Sequence, residues 1–472
     1  MESLYLYEGR TICKKQICPM TVKEYIEKNK QNFLEDLFEK LRIPSISSQS
    51  EHKPDMIKMA EHWRDYLTKV VGLDKAEVFE TPGNPVVYAE RIIDPKAQTV
   101  LIYGHYDVMP VEPLEEWKSQ PFEPEVREGK IYARGADDDK GQSTTHILGL
   151  KTAIDLGLVK ANVKVILEGE EEIGSVNLEG FCKKHKEMLK SDIIMVSDTS
   201  MLSADVPSIT TGLRGLAYLE IEVTGPNHDL HSGHYGGAVA NPINELCKLI
   251  ASVVDDKGRV TIPGFYDDVV PLTKEEREMI AQIPFDEEAY KKEIGVDALF
   301  GEEGYHTLER NSCRPSFDLC GIWGGYTGEG AKTVIPSKAY AKFSSRLVAN
   351  QDNEKIAQLF IDYFKKIAPP YIKVKVTPHH GGQGFLCPMD LPAYKAAEKA
   401  VEIAFGKRPL GVRSGGSIAI IATFERVLGV KSILMGFGLS SNAIHSPNEN
   451  YPLEMFYKGI EAAAEFYRIF GA

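Results

Sequence analysis

Seven cysteines among 472 residues, at positions 13, 18, 182, 247, 313, 320 and 387, are odd in number and form no C-x-x-C pair. That argues against a disulfide framework and against a thiolate metal site, and it fits a reducing compartment. Long apolar runs are missing too: no stretch approaches the ~18–20 residues a membrane span needs. The opening segment, MESLYLYEGRTICKKQ, has no apolar stretch behind a basic start, so no signal peptide is expected and the chain is expected to be cytoplasmic. Positive charge is short, with 55 Lys and Arg against 68 Asp and Glu, a net charge of −13. With no basic cluster, a nucleic-acid partner is not expected, because such binding relies on concentrated positive charge. No G-x-x-x-x-G-K-[ST] occurs, which removes the usual phosphate-cradling loop.

The rest is an ordinary globular composition, 43% hydrophobic and 26% charged. The length exceeds what one core usually organises, so two domains are expected. Phe33, Leu34, Leu37, Phe38 and Leu41 share one stripe at helical spacing, ending before Pro44. Strands and helices then alternate to about residue 200, with strands over 86–90, 99–103, 163–167 and 192–196 and a helix over 142–156. This predicts an α/β domain whose mixed sheet is largely parallel and flanked by helices. After Gly212 the texture changes, for Leu219, Ile221 and Val223 alternate with Glu220, Glu222 and Thr224. A helix follows, then strands near 319–323 and 340–348, a helix over 354–367 and a strand over 372–376. The order βαββαβ is that of a ferredoxin-like α+β unit. We therefore expect a domain over 212–383 inserted into one formed by 1–211 and 384–472; residues 256–315 have no legible fold.

Ligand-type side chains stand repeatedly where apolar runs end. Residues 99–103 lead to His105 and Asp107, 163–167 to Glu171 and Glu172, 192–196 to Asp198, and 432–435 through a glycine-rich loop to His445. Asp138 lies in Arg-Gly-Ala-Asp-Asp-Asp-Lys-Gly, ahead of a helix. Open α/β sheets bind ligands beyond the carboxyl ends of their strands. A lone His-x-Asp has an ordinary explanation as a surface pair, and three aspartates before a helix can simply cap it. The combination points instead to a site for two metal ions held by His105, Asp138, Glu172, Asp198 and His445. Asp138 is the candidate bridge, with Asp137 as its rival. Asp107 is placed to accept the second N–H of the His105 imidazole.

GHYDVMPV, ARGADDDKGQ, EGEEEIGS, VSDTS and AIHSPNE resemble, in order, the motifs of the dinuclear-zinc metallopeptidases, the family of aminoacylase, succinyl-diaminopimelate desuccinylase and dipeptidases. TTGLRGLAYLEIEV, DLHSGHYGG, GAKTVIP, FSSRLV and SGGSI are similar to the branch of cytosolic non-specific dipeptidase and the carnosine dipeptidases. The resemblance implies two divalent ions, Zn²⁺ first and Mn²⁺ second, with Asp138 as bridge and a cis peptide at Asp138–Asp139. It makes Glu171 the general base that takes a proton from water. It also implies substrate contacts from His231, Thr333, Arg346 and Ser417. The inserted domain becomes a lid and dimerisation unit, with His231 reaching the neighbouring subunit's site in a homodimer. The expected reaction is hydrolysis of a dipeptide or short peptide. The alternatives are an N-acyl-amino-acid deacylase or desuccinylase with the same metal core, or a silent metal-binding scaffold.

Overall fold

The computed structural model describes residues 20–416 and 418–471. Its larger sheet has nine strands among the described residues. The four at its centre, Asn162–Glu168, Thr99–His105, Ile193–Val196 and Ser432–Leu434, pair in parallel. On one side Val86–Arg91 and Lys75–Phe79 add antiparallel strands. On the other, Ser208–Leu213 runs antiparallel to Ser432–Leu434 and takes Leu410–Ser414 in parallel and Phe385–Leu386 in antiparallel pairing. Parallel pairing thus holds the centre, and the sheet as a whole is mixed. Its central strands are largely buried on both faces, which is why 100–103, 165–167 and 193–196 read as unbroken apolar runs.

Helices flank the sheet. Lys140–Asp155 packs against Leu453–Ile469 and Val22–Leu41, and Pro392–Phe405 packs on Leu453–Ile469. Val22–Leu41 starts at a capping box in which Thr21 and Glu24 each satisfy the other's backbone N–H. Leu178–Lys184 and Ala419–Leu428 form a second pair. Among the described residues no helix is long and apolar enough to cross a membrane.

A second sheet of four antiparallel strands has the order Ser316–Gly324, Lys338–Leu347, Gly215–Thr224, Lys373–Gly382. With helices Pro242–Ala251 and Asn353–Ile367 the chain order is βαββαβ. Gly215–Thr224 alternates buried and half-buried residues along its length, as its sequence alternation requires. Each sheet has its own apolar cluster, and Leu219, Ile221, Phe343 and Phe360 belong to that of the smaller one. The chain passes between the sheets twice, at Arg214 and at 383–384. The two passages touch: a Cβ on Gly215 would lie 2.5 Å from the Gly382 carbonyl oxygen. Residues 256–315 form short helices, Lys274–Ile280, Glu287–Ile294 and Thr307–Ser312, joined by loops.

Candidate metal centre

The parallel registers fix where the central strands stop. His105 stands opposite Glu168, Tyr103 opposite Val196, and Leu434 opposite Val196. The segments leaving these strands therefore emerge along one edge of the sheet. His105 closes its strand and is fully buried, whereas the His445 side chain is 47% exposed. His445 sits in a loop where three non-glycine residues take left-handed φ: Ala443 at 55°, His445 at 59° and Asn448 at 63°. Such values are uncommon outside glycine and persist where surrounding contacts dictate them.

Two groups of ligand-type atoms result. His105, Asp138 and Asp198 form one, and Asp138, Glu172 and His445 the other, with all atoms of a group within 4.8 Å of one another. Asp138 belongs to both: His105 Nε2 lies 3.1 Å from its Oδ1 and His445 Nε2 lies 2.9 Å from its Oδ2. His105 Nε2 is 3.9 Å from Asp198 Oδ2, and His445 Nε2 is 3.0 Å from Glu172 Oε2. Asp137 turns away and accepts a 2.8 Å hydrogen bond from Asn442. The peptide between Asp138 and Asp139 is cis. This nitrogen and oxygen donor set suits Zn²⁺, and its carboxylates admit Mn²⁺ as well.

The electrostatics describe a site crowded with negative charge. Burial alone would depress the His105 imidazole, but the carboxylates of Asp107, Asp138 and Asp198 push it well above its ordinary value. Hydrogen bonds to Asp138 and Glu172 raise His445 to about 10. Burial lifts Glu172 to about 7, against the hydrogen bond from His445. Burial would also lift Asp138, yet the two imidazoles hold it below the usual carboxylate range. Burial raises Glu171, and the charges of Asp138 and Asp107 add to it. Divalent cations at the two groups would relieve this crowding.

The four glutamates of 168–172 have separate fates. Glu168 accepts from the Tyr103 and Ser175 hydroxyls, both at 2.8 Å. Glu170 accepts from the Asn84 amide at 3.0 Å and from the Asn177 side chain. Glu172 joins the second ligand group. Of these four, Glu171 is the one whose carboxylate accepts no hydrogen bond from the described residues, and its neighbour in sequence belongs to that group.

Asp107 does more than its place in the sequence implied. His105 Nδ1 lies 3.3 Å from its carboxylate and 3.1 Å from its carbonyl oxygen. The carboxylate oxygens also accept the backbone N–H groups of Glu171 and Glu172, at 3.2 and 3.1 Å. Sequence reasoning missed Glu449 altogether. This buried carboxylate accepts from Arg134 Nη1 at 2.8 Å and from the amides of Gly135, Asp137 and Asp138 at 2.9, 3.0 and 3.1 Å. It therefore ties the loop carrying Asp138 to the loop carrying His445. Its local signal was an acidic residue four positions after a candidate ligand, which alone says little.

The expected substrate contacts are placed as follows. His231 ends the two-residue strand Leu230–His231, and Thr333 directly precedes its partner strand Val334–Ile335, with Nε2 and Oγ1 3.5 Å apart. His231 Nδ1 accepts from the Gly233 amide at 3.0 Å, which leaves Nε2 as the N–H tautomer. No hydrogen bond or ion pair among the described residues joins this pair to the carboxylate cluster of its own chain. Arg346 lies near the end of an inner strand of the smaller sheet, opposite Leu216 and Ser316. Its charge, after burial, helps depress the neighbouring Arg214 guanidinium to about 10. Arg214 donates to the Gly415 carbonyl at 3.1 Å, so Arg346 stands near the Ser-Gly-Gly loop. Ser417 lies outside the described residues.

The model of peptidase family M20/M25/M40 matches residues 101–468. This chain belongs to that family. It is 34% identical over 453 residues to the Cys-Gly metallodipeptidase dug1 of Schizosaccharomyces pombe, covering 93% of this chain and 95% of that one. It is 32% identical to the human Beta-Ala-His dipeptidase, over 94% of this chain and 91% of the other. Among solved structures, an M20 family metallo-carboxypeptidase from Sulfolobus solfataricus superposes with a TM-score of 0.81 at 35% identity, covering 93% of this chain and 99% of that one. Human carnosine dipeptidase 1 gives 0.74 at 31% identity, over 95% and 98%. As a member of this peptidase family the chain is a hydrolase.

Proposed function

We propose that this M20 peptidase is a dipeptidase that hydrolyses the amide bond of dipeptides with two divalent ions, Zn²⁺ in the first instance. The observation that carries the reading is the sharing of Asp138 between two ligand groups beside the unengaged Glu171. His105 and Asp198 would hold one ion, Glu172 and His445 the other, and Asp138 both. When bound, such a pair lowers the pKa of water and polarises a carbonyl. Glu171 takes the proton of the attacking water and passes it to the leaving nitrogen, and its raised pKa makes the carboxylate a stronger base for the first of these transfers. Asp107 orients His105 and holds the amides of Glu171 and Glu172 in place.

Arg346 serves the substrate's free carboxylate, for which a guanidinium offers a matched pair of donors. Thr333 and Ser417 assist there, and His231 donates to the developing oxyanion. Because His231 and Thr333 lack a link to their own metal groups, we assign them to the site of a second subunit in a homodimer. The Ser316–Gly324 edge strand supports that assembly, since Leu319, Ile322 and Trp323 on it are 39%, 47% and 44% exposed. Exposed apolar sheet edges invite pairing. In this reading 212–383 is a lid and dimerisation domain inserted into the catalytic domain of 1–211 and 384–472. The dipeptidase names of the relatives from yeast and human support the substrate class.

The test is metal analysis of the purified protein together with a panel of dipeptides and N-acetyl amino acids. We expect two divalent ions per chain and cleavage of the dipeptides. Glu171→Gln is expected to lower turnover by a factor of about 10² to 10⁴ or more with metal content intact. Unchanged turnover would refute the role of Glu171, and cleavage of the acylated substrates alone would refute the dipeptidase reading.

A further inference from the structure

Opening from Asp198 of the first ligand group, the structure has a cleft of about 410 Å³ that Arg346 does not line. One wall comes from the larger sheet and its loops, through Met201, Leu202 and Leu213. The facing wall comes from the 256–315 segment, through Ile280, Ile283 and Leu308. Met201 and Leu213 are nearly buried, whereas Leu202 is 39% exposed, so the cleft is an apolar surface left open to solvent.

The segment is fastened in that position. Glu276 caps its own helix by accepting the Thr273 N–H at 2.8 Å, and its other oxygen pairs with Arg413 on the Leu410–Ser414 strand. Arg277 grips Glu309 with two donors, at 2.8 and 2.9 Å, joining helix Lys274–Ile280 to helix Thr307–Ser312. The second helix abuts the Ser-Gly-Gly loop so closely that a Cβ on Gly415 would lie 2.4 Å from the Asn311 carbonyl oxygen. A wall braced at three points is a preformed surface, and such surfaces select ligands without an ordering cost.

We propose that this cleft is the side-chain pocket for the amino-terminal residue of the substrate, and that it makes the enzyme selective for dipeptides beginning with Leu, Met or Phe. The inference rests on the dipeptidase reading above. There the carboxyl-terminal residue is committed to Arg346 in the smaller sheet, and the scissile bond lies at the ligand groups, of which Asp198 borders the cleft. The first residue's side chain then enters the apolar cleft. Each methylene matched by such a pocket is worth about 10-fold or more in kcat/KM.

The experiment compares kcat/KM for Leu-Gly, Ala-Gly and Gly-Leu on the metal-loaded protein and on Ile283→Asn, Leu308→Asn and Leu202→Trp. Ile283 and Leu308 are half-buried and Leu202 is more exposed, so these positions tolerate replacement better than Ile280 does. The expected result is a preference for Leu-Gly over Ala-Gly of about 10-fold or more. In all three variants that ratio falls severalfold. Phe300→Ser, on the same segment but outside the cleft and 75% exposed, leaves it unchanged. A ratio that does not move in the cleft variants, or a preference for Gly-Leu, overturns this assignment while the dipeptidase reading stands. Failure to cleave any dipeptide overturns both.

Discussion

Glu449→Gln tests whether the loops carrying the candidate ligands Asp138 and His445 are held together by one buried carboxylate. Glu449 is fully buried and satisfies four donors: Arg134 and the amides of Gly135, Asp137 and Asp138. Burial raises its pKa, and Arg134 and the backbone donors pull against that rise. Glutamine is nearly isosteric, so the substitution removes charge and one acceptor without opening a cavity. It leaves the Arg134 guanidinium, itself 1% exposed, without its counter-charge. Breaking a buried pair from one side costs about 3–5 kcal/mol. The new amide group also faces backbone N–H groups with a donor, and an unsatisfied buried donor costs about 1–3 kcal/mol.

That cost appears in one of two places. If the loops stay put, urea unfolding of the metal-free protein shows a loss of about 3–5 kcal/mol. If they relax, the Asp138 and His445 loops separate and the second ligand group loses affinity, by about 10- to 100-fold as for other orienting partners. Titration with Zn²⁺ or Co²⁺ distinguishes these outcomes, since relaxation weakens the Asp138–Glu172–His445 group more than the group containing His105. Arg134→Met combined with Glu449→Gln is expected to cost less than the sum of the two single changes, because the double variant strands no charge. A single variant within about 1 kcal/mol of the parent, with unchanged metal titration, would refute the argument.

Three further outcomes follow from other parts of the structure. Arg346→Ala is expected to raise KM for free dipeptides by about 10-fold or more and barely change it for C-terminally amidated ones, the expected loss of a charge-assisted pair; equal effects on both would remove the carboxylate role. Mixing His231→Ala with Glu171→Gln subunits is expected to restore part of the activity through heterodimers with one intact composite site; mixtures that stay inactive after confirmed exchange would place His231 in its own subunit's site. His146 is buried between the Ser197 and Tyr467 hydroxyls, each at 2.8 Å, and burial lowers its pKa to about 3. The folded pKa lies below the unfolded value near 6.5, so this neutral imidazole contributes stability above that value and loses it as pH falls towards 3. Between pH 7 and pH 5 the stability gap between parent and His146→Gln is expected to shrink by about 2 kcal/mol in urea unfolding, and a constant gap would refute the argument.

How much of this was legible in the sequence depends on where the information sits. His105, Glu172, Asp198 and His445 could be read because each follows an apolar run, and parallel pairing carries such runs to a common edge. The βαββαβ order was legible for a similar reason, since alternation in 219–224 and helical spacing in 354–367 are local patterns. The 256–315 segment was illegible because its helices are six to eight residues long, too short for periodicity to show. The Thr273–Glu276 and His306–Glu309 capping boxes are the local signals that could have found two of them. Glu449 was illegible for a deeper reason: it serves amides up to 314 positions away, and no spacing rule connects an acceptor to donors at that distance.

Asp107 lies between these cases. Its two-residue spacing from His105 correctly indicated a contact with the imidazole, but it gave no hint that the same carboxylate holds the Glu171 and Glu172 amides. Those bonds join the first ligand group to the second through backbone rather than through a metal. Asp138 is shared, Glu449 ties the loops of Asp138 and His445, and Asp107 ties the strand end at His105 to the turn at Glu172. The two ligand groups are thus coupled three times by protein groups alone. That coupling is what preorganisation of a two-ion site requires, because ligands fixed before the ions arrive need not be ordered by them.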